Sequence, residues 1–232
     1  MGFTPVAVDC YLDMRLNKFL SQNTELSRRS ADVAIANGRI RVNGKPAVLG
    51  LPVEETDLIE LDGQAIRTVA PKIVTILLHK PAGYVCSKNG QGSKTVYELL
   101  PKAYENLNIA GRLDKDSSGL VVLTNDGSLL NELTHPSNNK EKAYVVSIDK
   151  TLWPEDQKKL LSGTDIGDER PSKFMRMKKK SEKTYEIILG EGRNRQIRRA
   201  FESVGYVVTK LHREQLGRFR LGKLKEKEKI IL

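Results

Sequence analysis

Gly111-Arg-Leu-Asp-Lys-Asp-Ser-Ser-Gly-Leu-Val-Val-Leu-Thr-Asn-Asp-Gly127 holds the three kinds of local signal from which the fold can be read. Its first part is polar and bounded by Gly111 and Gly119, which permit tight backbone turns. Residues 120–124 then form an apolar run whose length suits a buried strand. Asp126-Gly-Ser128 follows and predicts a helix around 128–134, with the aspartate as its cap. A turn, a buried strand and a helix start thus follow one another without a spacer.

The same signals recur on both sides. Residues 73–78 are another short apolar run, and residues 144–148 and 184–189 alternate or nearly so. Asn194 is suited to cap a helix over 195–204, in which Ile197, Ala200, Phe201 and Val204 have the spacing of a buried stripe. Gly205 ends that helix, and residues 206–212 return as a strand. Strands outnumber helices and connections are tight, so the expected class is α+β with a mixed, largely antiparallel sheet. Residues 101–172 are nearly charge-balanced and say little beyond their motifs.

The N-terminal part reads as a separate small α/β unit. Leu12, Leu16, Phe19 and Leu20 predict an amphipathic helix over 13–22. Ser27 is a good cap for a second helix at 28–36, and Gly38 a good stop. Arg39-Ile-Arg-Val42 alternates like a half-buried strand, and Asn43-Gly44 is a strong hairpin turn signal. A further strand over 57–61 ends at Asp62-Gly63. The expected boundaries are therefore 13–67 for this unit and 73–232 for the second, with 68–72, which include Pro71, as the linker. Leu16, Phe19, Val33 and Ile40 are the expected core of the first unit.

Composition narrows the functional classes. The chain has 232 residues, 39 Lys plus Arg against 29 Asp plus Glu, and a formal net charge of +10. No apolar run approaches the ~18 residues of a membrane span. The start has no basic segment followed by an apolar stretch, so the expected location is the cytoplasm, with Cys10 and Cys86 as reduced thiols. The three histidines, His79, His135 and His212, are far apart, so no metal site is expected. The charge is concentrated: residues 173–232 carry 18 bases and 7 acids. Arg15, Lys18, Arg28, Arg29, Arg39, Arg41 and Lys45 fall in one stretch against only Glu25 and Asp32. Two basic segments suit a polyanion, because neutralised phosphates release counterions.

On residue types alone, the 111–119 segment is a polar turn, and Asp116 competes with Asp114 as its functional acid. Two resemblances sharpen this. Arg15-Leu-Asn-Lys-Phe-Leu20, Ser27-Arg-Arg-Ser-Ala-Asp32 and Gly38-Arg-Ile-Arg-Val-Asn-Gly44 resemble the RNA-binding domain named after ribosomal protein S4. The full 111–127 string resembles the central motif of the pseudouridine synthases, in the branch that includes RsuA, RluB, RluE and RluF. His79-Lys-Pro-Ala-Gly83 resembles the opening motif of that family, with His79 where Asn is usual. Glu141-Lys-Ala-Tyr-Val145 resembles its Lys-x-Tyr motif. Glu191-Gly-Arg-Asn-Arg-Gln-Ile-Arg-Arg199 resembles its third motif, with Ala200 in place of a commoner Met. The likeness runs from about residue 13 to the C-terminal part of the chain and is strongest to the RluF group.

This resemblance implies an rRNA pseudouridine synthase that needs no cofactor and acts on large-subunit rRNA or its assembly intermediates; a monomer is expected, though the sequence itself does not give the oligomeric state. It implies Asp114 as the catalytic aspartate, acting as nucleophile or as the base that removes a ribose proton. It implies Tyr144 stacked on the uracil, Arg198 paired with Asp114, and Arg112 filling the space that the flipped base leaves. Arg193 and Arg195 join Arg15, Lys18, Arg28, Arg29, Arg39 and Arg41 as expected RNA contacts. Arg199 is expected to face solvent, and Lys178-Lys-Lys180 to form a solvated loop. The alternatives are a small-subunit rRNA synthase and a non-catalytic ribosome-associated RNA-binding factor. The presence of Asp114, Tyr144 and Arg198 together argues against the latter.

Overall fold

The structure, a computed structural model, describes residues 14–54, 56–66 and 72–232. They divide into two compact units, one within residues 1–72 and one over 73–232. Residues 67–71, most of the expected linker, lie outside the described residues, as do Cys10, Leu12 and Asp13.

The first unit is built as β1 (Met14–Arg15), α1 (Leu16–Asn23), α2 (Arg28–Ala36), β2 (Ile40–Val42), β3 (Lys45–Pro46), β4 (Pro52–Val53), β5 (Ile59–Leu61) and β6 (Gln64–Ala65). The helix expected over 13–22 starts later, because Met14 and Arg15 pair with Val53 and Pro52 as a short antiparallel ladder. The Ser27 side chain accepts from the Ser30 N–H and caps α2. Asn43 and Gly44 have φ of 52° and 75°, and Asp62 and Gly63 have 53° and 80°. Both pairs therefore make the turn whose twist matches a hairpin. The core consists of Leu16, Phe19, Leu20, Ala31, Ala34, Ile35, Ile40, Ala47, Val53 and Ile59. Val33 does not join it and is 60% exposed. The inward stripe of α2 is Ala31, Ala34 and Ile35.

The second unit contains β7 (Thr75–Lys80), β8 (Asn108–Ala110), β9 (Ser118–Thr124), α3 (Gly127–Thr134), β10 (Lys142–Ile148), α4 (Pro154–Ser162), β11 (Arg176–Ser181), β12 (Thr184–Leu189), α5 (Gln196–Ser203), β13 (Val208–Leu216), β14 (Phe219–Arg220) and β15 (Lys229–Ile231). Its strands form one sheet in the order β11-β12-β10-β13-β9-β7-β15, with β8 on β9 and β14 on β13. Each pairing is antiparallel except β13 with β9, where His212 meets Ser118 and Arg213 meets Gly119. That parallel contact joins two antiparallel halves. Val121 and Leu123 of β9 enter the larger core with Ile76, Val146, Ile187 and Phe201. Leu120 and Val122 enter a second core under α3 with Leu77, Leu129 and Leu216. Burial on both faces explains why β9 is a continuous apolar run rather than an alternating one.

Several expectations for this unit change. Asn194 is not the cap of α5: Arg195 occupies the cap position with a left-handed backbone, φ 47° and ψ 30°. The turn is closed instead by the Gln196 side chain, which accepts from the Arg193 N–H. The strand after Gly205 runs on to Leu216. Lys178-Lys-Lys180 is not a loop but the body of β11, paired with β12. Helix α4 arises in the segment whose sequence said little. Pro154 stands at its first turn, where a missing N–H costs nothing, and Glu155 and Asp156 complement the positive end of the helix dipole.

Candidate active site

The site sits beside the parallel seam. Gly119 makes the seam possible: at φ +114°, a Cβ there would lie 2.3 Å from the Arg213 carbonyl oxygen and 2.5 Å from its nitrogen. Only glycine lets the two strands approach so closely. The polar segment of residues 111–117 emerges from the start of β9 and walls a cavity of about 650 Å³. Arg112, Asp114, Tyr144, Arg195, Leu211 and Arg213 are among the residues that line it.

Two buried cations fix this segment through its carbonyl groups. The Lys80 ammonium, fully buried at the end of β7, donates to the carbonyl oxygens of Asp114 at 3.0 Å, Pro81 at 3.2 Å and Ser117. Burial pushes its pKa below the usual lysine value. The Arg213 guanidinium donates to the carbonyl oxygens of Leu120 at 2.9 Å, Gly111 at 2.6 Å and, more weakly, Arg112 at 3.4 Å. Neither is in an ion pair among the described residues. Backbone carbonyls replace the water that a buried charge loses. The Ser117 N–H donates back to the Asp114 carbonyl at 3.1 Å and closes the turn. The Leu113 N–H meets the Cys86 sulfur at 3.3 Å, and burial pushes that thiol's pKa up.

The Asp114 carboxylate is thus presented from a braced backbone and is partly exposed to the cavity. Its cationic neighbour differs from the one expected. Arg195 lies 3.8 Å from Asp114 and 3.2 Å from Asp116. Arg198 pairs with Asp116 at 3.2 Å and donates to the Val208 carbonyl at 2.8 Å. The expected Arg198–Asp114 pair is therefore replaced by Arg195 on both carboxylates and Arg198 on the second. Arg195 reaches the site because its left-handed backbone turns the chain just ahead of α5. A non-glycine residue in that conformation is strained, and such strain is found where the surroundings hold a functional group in place.

Tyr144 lies buried on β10 at the cavity wall, and its hydroxyl has no hydrogen-bond partner among the described residues. Lys142, two residues earlier on the same face, also lines the cavity, and burial lowers its pKa. The Arg112 side chain is exposed at the rim and is in no ion pair among the described residues. Arg193 is committed elsewhere: it pairs with Asp168 at 3.2 Å and Glu191 at 2.8 Å and donates to the carbonyls of Arg170 and Pro171. Arg199 does not face solvent; it pairs with Asp168 at 2.6 Å and donates to the Ile166 carbonyl. Together they pin the loop before β11 to α5. In the first unit Arg15, Lys18, Arg28, Arg29, Arg39 and Arg41 are all exposed. Arg39 is held by Asp62, whose carboxyl it keeps below the usual carboxylate range.

Lys80 and Lys142 fall inside the quoted motifs but had been given no role, and neither Arg213 nor the place of Arg195 beside Asp114 had been foreseen. Lys80 had a usable signal, a lysine closing an apolar strand. Arg213 had none, because it stands between His212 and Glu214 in a strand of mixed polarity.

Comparison with known proteins places both units. The profile of the RNA pseudouridylate synthase family matches residues 74–203, and that of the S4 domain matches residues 14–59. The dual-specificity RNA pseudouridine synthase RluF of Escherichia coli K12 is 37% identical over 204 residues, which cover 88% of this chain and 70% of that one. The ribosomal large subunit pseudouridine synthase B of Bacillus subtilis is 36% identical over 208 residues, 87% of this chain and 84% of the relative. A crystal structure of a pseudouridylate synthase superposes with a TM-score of 0.69 at 28% identity, covering 94% of this chain and 96% of that one. With matches that span both units and take in the segment carrying Asp114, the chain belongs to the RNA pseudouridylate synthase family.

Proposed function

We propose that this enzyme isomerises one uridine of ribosomal RNA, in the large subunit, to pseudouridine, and that Asp114 carries the reaction. The observation that bears most weight is the placement of Asp114. A carboxylate on a braced backbone faces a cavity with one buried tyrosine, Tyr144, on its wall and one arginine, Arg195, at 3.8 Å. The relative named as a ribosomal large subunit pseudouridine synthase favours ribosomal RNA and, within it, the large subunit. The enzyme works as a monomer in the cytoplasm on this reading.

The reaction breaks the bond from uracil N1 to the ribose, turns the base and rejoins it through carbon 5. Asp114 serves at the ribose as nucleophile or as proton acceptor. The Tyr144 ring gives the turning base a flat apolar wall, and its free hydroxyl is available for the proton leaving carbon 5. Arg112, exposed at the rim, takes the place of the flipped base in the RNA stack, which offsets an unstacking cost of a few kcal/mol. Arg195 and Arg198, held by Asp116, keep positive charge where the RNA backbone enters.

The test is pseudouridine mapping of naked rRNA and of assembling subunits incubated with the enzyme. One new site in large-subunit rRNA is expected. A new site only in small-subunit rRNA would replace the substrate assignment, and no new site on any rRNA would sink it.

A further inference from the structure

Arg170-Pro-Ser-Lys-Phe-Met-Arg-Met-Lys-Lys-Lys180 contains six bases and no acid. Its bases are exposed. Lys180 is held by Glu186 at 3.1 Å, while Arg170, Lys173, Arg176, Lys178 and Lys179 are in no ion pair among the described residues. The segment ends in β11, which among the described residues pairs only with β12 and so forms an edge of the sheet. It begins at the cavity, because Arg170 is one of the lining residues. Gly190, also on the cavity wall, lies close to the side chain of Met175, which is 57% exposed. Basic charge therefore runs from the mouth of the cavity along the strand, where Arg176, Lys178 and Lys180 share one face and Glu186, opposite Lys178, offsets only Lys180; β11 spans about 17 Å at ~3.4 Å per residue.

A lysine-rich edge strand has an ordinary role, which is to prevent pairing with other chains. That role needs only one or two charges and no connection to a cavity. Here the charge begins before the strand, and Arg193 and Arg199 hold the preceding loop against α5. A largely uncompensated cationic track that opens into an RNA-processing cavity fits a polyanion.

We propose that the segment 170–180 is an RNA-tracking edge of the catalytic unit, on which the phosphate backbone flanking the target uridine lies. It deepens the rRNA reading above and rests on it. It adds a second contact surface, separate from the S4 domain, that acts on long substrates and not on the chemistry.

The test compares the full chain with the variant Lys173→Gln, Arg176→Gln, Lys178→Gln and Lys179→Gln. Each side chain is exposed and outside the cavity lining. Binding is measured from 50 to 200 mM salt on two RNAs: a short hairpin bearing the target uridine, and the same hairpin with long flanks. If four phosphate contacts are lost, the salt slope falls by up to about 2.8, so wild type loses up to roughly 50-fold more affinity than the variant over that range. This difference is expected on the flanked RNA alone, with turnover of the short hairpin unchanged. A control carrying Lys173→Arg, Lys178→Arg and Lys179→Arg keeps the wild-type slope. Equal slopes on flanked RNA, or an equal loss on both RNAs, would overturn the proposal. So would a defect seen only on ribosomal particles and not on naked RNA, which would make the partner a protein. Binding is read apart from turnover, so an inactive wild type would refute the rRNA reading without deciding this one.

Discussion

Replacing Arg213 by Met keeps the length of the side chain and removes its charge. In the protein, two of the donations from Arg213 are short, 2.6 Å to Gly111 and 2.9 Å to Leu120. Losing them leaves two buried carbonyls without a strong donor, which costs about 1–3 kcal/mol each. The removed charge returns part of this, because burying a cation is itself unfavourable. The net loss is about 2–4 kcal/mol, or a fall of roughly 1–2 M in urea midpoint for an m-value near 2 kcal/mol/M. Trp153 is the sole tryptophan and lies in the catalytic unit, 70% exposed at the cap of α4. Its fluorescence follows that unit without the S4 domain. The same variant loosens the backbone on which Asp114 stands, so kcat falls while the Kd for RNA stays within a few-fold. Arg213→Lys keeps a charge but cannot span both carbonyls, and its stability falls between the two. An Arg213→Met protein with unchanged midpoint and unchanged kcat would refute the bracing argument.

Gly119→Ala places a Cβ against the Arg213 backbone and forces a side chain into φ +114°. Calorimetry should show the catalytic unit destabilised by several degrees or unfolded, with the S4 transition unmoved. Asp116→Asn removes one of two carboxylates shared by Arg195 and leaves Arg198 with carbonyl partners. These ion pairs are partly exposed and worth about 0.5–1 kcal/mol, so kcat measured at saturating RNA should change only a few-fold. Burial lowers the pKa of His212 below its ordinary value, with His79 at 5.2 Å between ring centres adding to the effect. The unfolded chain then binds the extra proton more readily. Stability therefore falls as pH drops from about 6.5 toward the lower folded-state pKa, and His212→Gln should flatten that part of the urea-midpoint profile.

Local signals made much of the architecture legible. The Ser27 cap, the Asn43-Gly44 and Asp62-Gly63 turns, the apolar run at 120–124 and the stripe Ile197, Ala200 and Phe201 each depend on nearby residues, and each appears where the sequence puts it. What tertiary pairing decides was harder to read. Met14 and Arg15 look helical until Pro52 and Val53 come beside them. Val33 looks like core until Ala31, Ala34 and Ile35 take the packing. Lys178, Lys179 and Lys180 look like loop because only Met177 in that strand is buried, and the strand exists through its pairing with β12. In the site, Asp114, Tyr144 and Arg112 are brought to one cavity. The partner of Asp114 was misread because the choice between Arg195 and Arg198 depends on a left-handed residue ahead of α5, and no spacing rule reveals that. Lys80 and Arg213 act on carbonyl groups of distant residues, a pattern that composition cannot display.

The measurement that bears most directly on the central claim is release of tritium from carbon 5 of labelled uridine in rRNA, a step that follows only when the base rejoins the ribose through that carbon. Wild type and Asp114→Asn would be compared after each is shown to bind the RNA with the same Kd. Wild type should release tritium from one uridine per rRNA, and Asp114→Asn should release none above background. Release by Asp114→Asn at a rate near that of wild type would contradict the assignment of Asp114 and, with it, the account of the cavity.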